Sequence, residues 1–129
     1  MTQAAKPRVL ISDPIAQEGV DLLSEYAEVE VRPGLTKDEL KATLAEYDGL
    51  IVRSETKVTA DVIQAGTRLQ VIGRAGVGVD NIDLDAATLQ GIAVVNAPTG
   101  NTIAAAEHTM ALMLALARHV PQANATMRA

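Results

Sequence analysis

The chain has 129 residues, a formal net charge of −5 and no cysteine, which excludes disulfides and thiolate metal sites. It contains no Phe and no Trp, so a core of this size has to be aliphatic. The acidic balance disfavours nucleic acid as a partner. The most apolar segment, Met110 to Ala117, is much shorter than the roughly 18 residues of a membrane span. With a first strand too early to leave room for a signal peptide, we expect a soluble, cytoplasmic protein.

The first elements alternate between β-branched runs and helical patterns. The run Arg8–Ser12 predicts a first strand. Asp13 and Pro14 then predict the start of a first helix, with Asp13 as its N-cap and proline at the first helical position. Ala27–Arg32 is a second strand, and its alternation of apolar and polar residues favours an edge position.

The next helix has the clearest start signal in the sequence. Thr36 and Glu39 have the spacing of a capping box, and this helix should bury Leu40, Leu44 and Tyr47. Gly49–Arg53 follows as a third strand, and its continuous apolar character is typical of a strand covered on both faces.

The second half of the chain continues the alternation. A short helix runs from Thr59 to Ala65, Asp83 caps another that ends at Gly91, and a last helix begins near Thr102 and ends about Arg118. Between them lie two further strands, Leu69–Gly73 and Ile92–Asn96.

Five strands alternating with five helices predict an α/β fold with a parallel sheet. At this length we expect a flavodoxin-like three-layer sandwich with strand order 2-1-3-4-5. Residues 1–100 would form this lobe, and residues 101–129 would form an apolar helix and tail.

Two arginines leave neighbouring strands at the carboxyl edge of the predicted sheet, where ligands bind in such folds. Arg53 follows the third strand, and Arg74 follows the fourth in the stretch VIGRAGVGVDN. A guanidinium group matches carboxylate and phosphate oxygens. The amides of Ala75 to Gly78 can add a backbone nest for a second anionic group. The site therefore suits a small molecule with two anionic ends, unless the arginines pair with acids such as Glu55 or Asp80.

Other sites are disfavoured. The glycine-rich loop has Asn81 where a dinucleotide fingerprint needs its third glycine, and it follows the fourth strand instead of the first. Arg53 stands where a phosphate-accepting receiver domain needs an aspartate, and the loop after the first strand is poor in the hydroxyls that a flavodoxin uses. His108 and His119 lie in or after the last helix, where a structural or solvent-facing role is expected. No metal-ligand spacing occurs.

Three segments carry a family resemblance: LIVRSETKVT, VIGRAGVGVDNIDLDAAT and GIAVVNAPTGNTIAAAEHTMALMLALAR. They resemble, in the same order, the N-terminal part of D-3-phosphoglycerate dehydrogenases, which belong to the D-isomer-specific 2-hydroxyacid dehydrogenase family. The resemblance implies a two-lobed enzyme that oxidises 3-phosphoglycerate to 3-phosphohydroxypyruvate with NAD in serine biosynthesis. Its substrate lobe is flavodoxin-like.

The same resemblance implies roles for individual residues. Arg53 and Arg74 would contact the anionic substrate, and the backbone of Ala75 and Gly76 would meet its carboxylate. Val77 would lie close to the nicotinamide end of the cofactor. Asn101 is also expected near the substrate.

The sequence also departs from the family, because it ends where most of the family's nucleotide-binding lobe is expected to follow. The G-x-G-x-x-G loop and the catalytic Arg, Glu and His come later in family members. We therefore expect a truncated substrate-binding lobe with no catalytic residues, no bound NAD and no dehydrogenase turnover. The alternatives are a freestanding flavodoxin-like module that binds small anions or regulates a partner, and a folded fragment with no ligand.

The last helix, Ile103 to Arg118, has an apolar arc of roughly 200° at about 100° per residue, wider than an ordinary amphipathic stripe. Such a helix needs burial on more than one flank. It can fold back onto its own sheet or pack against a second copy, and we expect a homodimer.

Overall fold

The computed structural model of the chain describes residues 5–128, which contain five strands and six helices. They divide into two compact units, with the boundary between Pro98 and Thr99. The first unit contains all of the strands: β1 Arg8–Ile11, β2 Glu28–Val31, β3 Gly49–Val52, β4 Val71–Arg74 and β5 Ala93–Asn96. Its helices are α1 Gln17–Ser24, α2 Lys37–Leu44, α3 Ala60–Ala65 and α4 Leu84–Leu89.

The five strands form one parallel sheet in the order β2-β1-β3-β4-β5. The predicted fold class and strand order are confirmed, including the edge position of β2. Parallel strands require crossovers, and the right-handed rule puts α1 on one face and the next three helices on the other, because the chain reverses direction after β2.

The main core lies beneath α2, α3 and α4. As the absence of Phe and Trp predicts, it is built almost entirely from aliphatic side chains, with Leu10, Leu50 and Ile72 from the sheet facing Leu44 and Ile63 from the helices. Burying a side chain of this kind contributes about 1.5–3 kcal/mol. These contacts fix the strands, and with them the loops at the carboxyl edge.

Tyr47 is the aromatic member of this core. Its hydroxyl donates a hydrogen bond to Glu30, and the Arg8 guanidinium lies 4.7 Å from its ring centroid. Burial, followed by the bond to Glu30, raises the pKa of the Tyr47 hydroxyl. The buried ring of Tyr47 therefore contacts charged side chains of β1 and β2 at the border of the core.

Within the described residues of the first unit, α1 is the one helix on the other face of the sheet. Ile51, Gly73 and Val95 stand in register across β3, β4 and β5, and together with Leu22 and Tyr26 of α1 they line an apolar groove of about 670 Å³. This face of the first unit is consequently less buried than the face beneath α2 to α4.

Most of the predicted helix signals are confirmed. The Thr36 side chain accepts from the Glu39 N–H, and the Glu39 carboxylate accepts from the Thr36 N–H, which completes the capping box. Asp83 caps α4 by accepting from the Ala86 N–H. Gly91 has a φ of 70°, as expected for a residue just after a helix.

The predicted N-cap at Asp13 is wrong. The first helix begins at Gln17, its N-cap is Ala16, and no side chain caps it. Asp13 is only 2% exposed, and its carboxylate accepts hydrogen bonds from the loop after β3. A buried carboxylate needs such donors, so Asp13 binds the loop after β3 instead of capping the helix.

The second unit contains α5, Thr102–Ala117, and α6, Val120–Arg128. The first of these matches the predicted last helix. The second was not predicted and raises the number of helices among the described residues from the expected five to six. His119, with a φ of 50°, separates the two helices. None of the described helices is long and apolar enough to span a membrane.

An ion-pair cluster joins α2 to α3. Lys37 and Lys41 of α2 lie 2.8 Å and 3.1 Å from the two carboxylate oxygens of Asp61 in α3, and the Thr59 hydroxyl donates to the same carboxylate. The hydrogen bond from Lys37, followed by that from Thr59, holds the pKa of Asp61 well below its ordinary value of 3.8. The charged form of Asp61 therefore stabilises the folded state.

We expect Asp61→Asn to lower the free energy of unfolding at neutral pH. The difference from the parent protein should stay constant above the ordinary carboxyl pKa of 3.8 and shrink as the pH falls below it, because the folded-state pKa is lowered. Urea denaturation at a series of pH values measures this. Asp85→Asn, at an exposed residue without an ion pair in the described residues, is the control. A difference that grows on acidification would contradict the assignment.

Candidate functional site

The candidate site lies at the carboxyl edge of the first unit's sheet. Arg74 is the last residue of β4 and pairs in register with Val52, so Arg53 follows directly beside it on the neighbouring strand. Arg53 is exposed and Arg74 is half-buried. The topology therefore brings the two predicted arginines to adjacent strand ends.

Asp13 anchors the loop that carries Arg53. Its Oδ2 accepts from the backbone N–H of Arg53 at 2.6 Å and from that of Thr56 at 3.1 Å, and its Oδ1 accepts from the Thr56 hydroxyl. The buried Ser12 hydroxyl lies 3.0 Å from the same Thr56 oxygen. The loop is thereby fixed to the end of β1.

Asn81 holds the same loop from the opposite side. It is 5% exposed, and its Nδ2 donates to the carbonyl oxygens of Arg53 and Thr56, both at 2.7 Å. Its Oδ1 accepts from Nε of Arg74 at 3.4 Å. Asn81, which stands where the dinucleotide fingerprint needs a glycine, therefore forms hydrogen bonds with both arginines.

Neither arginine is neutralised within the described part of the chain. The alternative pairing with Glu55 or Asp80 does not occur, because no carboxylate of the described residues lies within 4.0 Å of either guanidinium. Arg53 Nη1 donates only to the carbonyl of Pro14, at 3.3 Å. Both groups keep donors for an anionic ligand.

Two concave surfaces meet at Ala75. A cavity of about 360 Å³ is lined by Pro14, Ile15, Ala16, Arg53 and Ala75. Arg74 and Ala75 also line the end of the apolar groove beside α1. The cavity next to Arg53 has the size of a small-metabolite site.

The predicted nest of amides needs correction. The N–H of Ala75 donates to the Val52 carbonyl and that of Gly76 donates to the Arg74 carbonyl, each at 2.8 Å, so neither is free for a ligand. The N–H groups of Val77 and Gly78 donate to no group among residues 5–128. Contact of Ala75 and Gly76 with the substrate stays a prediction, but the available donors of the predicted nest are its last two residues, Val77 and Gly78.

Gly76 lies directly beneath the Arg74 side chain. A β-carbon built on Gly76 would overlap Nη1 of Arg74, although the glycine does not have a positive φ. The absence of a side chain at this position therefore makes room for the guanidinium group.

Asn96, at the end of β5, is a site residue that the sequence analysis missed. Its Nδ2 donates to the carbonyl of Val77 at 2.7 Å, and the N–H of Ala97 donates to the carbonyl of Gly76 at 3.0 Å. These bonds hold the glycine-rich loop against the next strand. A single asparagine after an apolar run gives no sequence signal for such a role.

Asn101 belongs to the second unit, where it precedes α5 without a side-chain capping bond. Its expected position near the substrate, like that of Val77 near the nicotinamide, stays a prediction. His108 and His119 are exposed. Among residues 5–128 no group of His, Asp and Glu is arranged to hold a metal ion.

The described residues do not fit the pyrophosphate of NAD. In a dinucleotide site the glycine-rich loop leads directly into a helix N-terminus. Here Asn81, at the end of the loop, is turned into the protein, and α4 begins only at Leu84.

The sequence matches the family described as D-isomer specific 2-hydroxyacid dehydrogenase, catalytic domain, over residues 9–129. The chain belongs to this family. Over 121 residues it is 58% identical to the D-3-phosphoglycerate dehydrogenase of Synechocystis sp., an alignment that covers 94% of this chain and 22% of that protein. The chain thus spans about a fifth of this relative's length.

Solved structures agree with this assignment. A protein from Thermus thermophilus superimposes with a TM-score of 0.83 at 40% identity, covering 94% of this chain and 40% of that one. The NAD⁺-bound 3-phosphoglycerate dehydrogenase of Entamoeba histolytica gives a TM-score of 0.75 at 30% identity, covering 86% and 39% respectively.

Proposed function

We propose that residues 1–129 form the substrate-binding lobe of an NAD-dependent D-3-phosphoglycerate dehydrogenase and bind 3-phosphoglycerate, the substrate of the first step of serine biosynthesis. The observation that carries the proposal is the pair of arginines at adjoining strand ends, neither of which has a carboxylate partner among residues 5–128. A phosphate and a carboxylate on a three-carbon chain supply the two anionic groups that such a site requires.

The loop after β4 would complete the site. The N–H groups of Val77 and Gly78 have no acceptor in residues 5–128, so they are suited to a carboxylate beside Arg74. Arg53 borders the cavity of about 360 Å³ and would bind the second anionic group. The small side chain of Ala75 leaves space between the two positions.

The cofactor belongs to a different part of the proposed enzyme. NAD supplies the hydride acceptor when it is bound, and the pyrophosphate has no suitable loop in residues 5–128. We therefore assign the NAD site and the catalytic residues to a portion of the enzyme outside residues 1–129, with Val77 nearest to the nicotinamide. The absence of cysteine accords with the cytoplasm as its compartment.

Binding tests the proposal directly. Isothermal titration with 3-phosphoglycerate should give saturable binding, and Arg74→Ala should weaken it about 10- to 150-fold, because a hydrogen bond to a charged group contributes about 1.5–3 kcal/mol. Arg128→Ala, in the last turn of α6, is the control and should leave the affinity unchanged.

The pattern of results separates the candidate functions. Equal binding of phosphate, sulfate and 3-phosphoglycerate would favour a general anion-binding module. No heat of binding from any of the three, with the protein folded by circular dichroism, would contradict a ligand site altogether.

We further expect residues 1–129 to be inactive by themselves. Hydride transfer requires the nicotinamide to be held against the substrate, and we propose that most of the surface that holds it lies elsewhere. Purified protein mixed with 3-phosphoglycerate and NAD should produce no NADH by absorbance, while a full-length relative assayed in parallel should. Production of NADH that scales with the concentration of residues 1–129 would refute this expectation.

We also propose that α5 mediates a homodimer, within the predicted segment Ile103 to Arg118. Large apolar side chains along this helix are exposed, among them Leu112 at 58% and Leu116 at 74%. Each such side chain gains about 1.5–3 kcal/mol when it is buried, so a second copy that covers several of them would be bound firmly.

Light scattering should give the mass of a dimer at high micromolar concentration. The double variant Leu112→Glu and Leu116→Glu should be monomeric, because association would bury the new charges. Leu89→Glu, at a residue of α4 that is 88% exposed, controls for added charge and should remain dimeric. A monomeric mass for the parent protein would eliminate the dimer.

A further inference from the structure

We propose that Asn81 is a positioning residue that ties the main chain of Arg53 to the guanidinium group of Arg74 and thereby makes the site selective for ligands with two anionic groups. This inference rests on the proposed function, since it concerns the same site. It assigns to Asn81 a role in binding even though the side chain is buried and need not touch the ligand.

The hydrogen bonds of Asn81 connect the two arginines. The side-chain amide donates to the carbonyl of Arg53 itself, at 2.7 Å, and its oxygen accepts from Nε of Arg74. Among residues 5–128, no other side chain has hydrogen bonds to both arginines. One amide group therefore links the strand end at Arg53 to the head of Arg74.

The bond to Nε also sets the direction of Arg74. When Nε is occupied by Asn81, the two terminal nitrogens of the guanidinium are the donors that remain for a ligand, and they form the fork that binds an anion in bidentate fashion. Nη1 lies over Gly76, where a β-carbon would overlap it. The Arg74 side chain is thus ordered before a ligand arrives.

Arg53 is fixed mainly through its backbone. Its N–H is held by Asp13 at 2.6 Å and its carbonyl by Asn81, so both peptide groups around its α-carbon have buried partners. Removal of the Asn81 amide frees one side of this arrangement and, at the same time, the head of Arg74. A ligand with one anionic group needs only one arginine, whereas a ligand with two needs both at the correct distance.

The test compares a two-anion ligand with a one-anion ligand. Asn81→Ala should weaken binding of 3-phosphoglycerate roughly 2- to 12-fold, the range for restoring order to one rotamer-rich side chain. Binding of glycerol 3-phosphate, which lacks the carboxylate, should stay within a factor of two of the parent value, by the same argument. The ratio of the two affinities is insensitive to a general loss of stability among molecules that remain folded.

Asp83→Ala is the matched control. It lies two residues away and removes the cap of α4, so it should destabilise the fold without contacting either arginine. The ratio of affinities should be unchanged in this variant. An unchanged ratio in Asn81→Ala, or a ratio that falls equally in Asp83→Ala, would overturn the positioning role while leaving the proposed function intact.

A second measurement does not depend on a ligand. Nitrogen-15 relaxation of the arginine side chains should give Nε of Arg74 a higher order parameter than Nε of the exposed Arg128, and Asn81→Ala should abolish the difference. Failure of the parent protein to bind 3-phosphoglycerate would refute the proposed function. An Arg74 side chain that is equally ordered with and without Asn81 would refute the inference itself.

Discussion

The carboxylate of Asp13 is the constraint on which the site depends. It is almost entirely buried at the end of β1, and it is satisfied by the backbone and hydroxyl donors of the loop after β3. A buried carboxylate is costly without such donors, so these hydrogen bonds stabilise the observed conformation of the loop. Asn81 binds the carbonyls of the same loop, and the two polar side chains together hold Arg53 between them. Within the described residues, the carboxylate of Asp13 is thus satisfied without an ion pair to either arginine.

Much of the fold could be predicted because its signals are local. The capping box at Thr36, the cap at Asp83 and the left-handed Gly91 each involve residues within a few positions of one another. The strand order follows from the alternation of elements and the handedness of crossovers. The role of Asp13 could not be predicted for the opposite reason. Its hydrogen-bond partners are 40 and 43 residues away, and an aspartate before a proline has the same sequence pattern whether it caps a helix or binds a distant loop.

The candidate site likewise has features that the sequence predicts and features that depend on contacts between distant segments. The topology alone predicts that Arg53 and Arg74 lie side by side, and the structure agrees. Which amides of the glycine-rich loop are free could not be predicted, because that depends on whether Val52 or a ligand accepts the N–H of Ala75. The roles of Asn81 and Asn96 were missed because both act through single side-chain bonds across separate segments of the chain.

The close approach of Arg74 to Gly76 has a consequence for the family as a whole. Because Gly76 lacks a positive φ, the backbone itself would accept alanine or serine, but the overlying Arg74 guanidinium would have to move to make room for the new side chain. The identity of residue 76 is therefore conditional on the identity of residue 74. In a relative without arginine at position 74 this overlap is absent, so we expect the two positions to vary as a pair across an alignment.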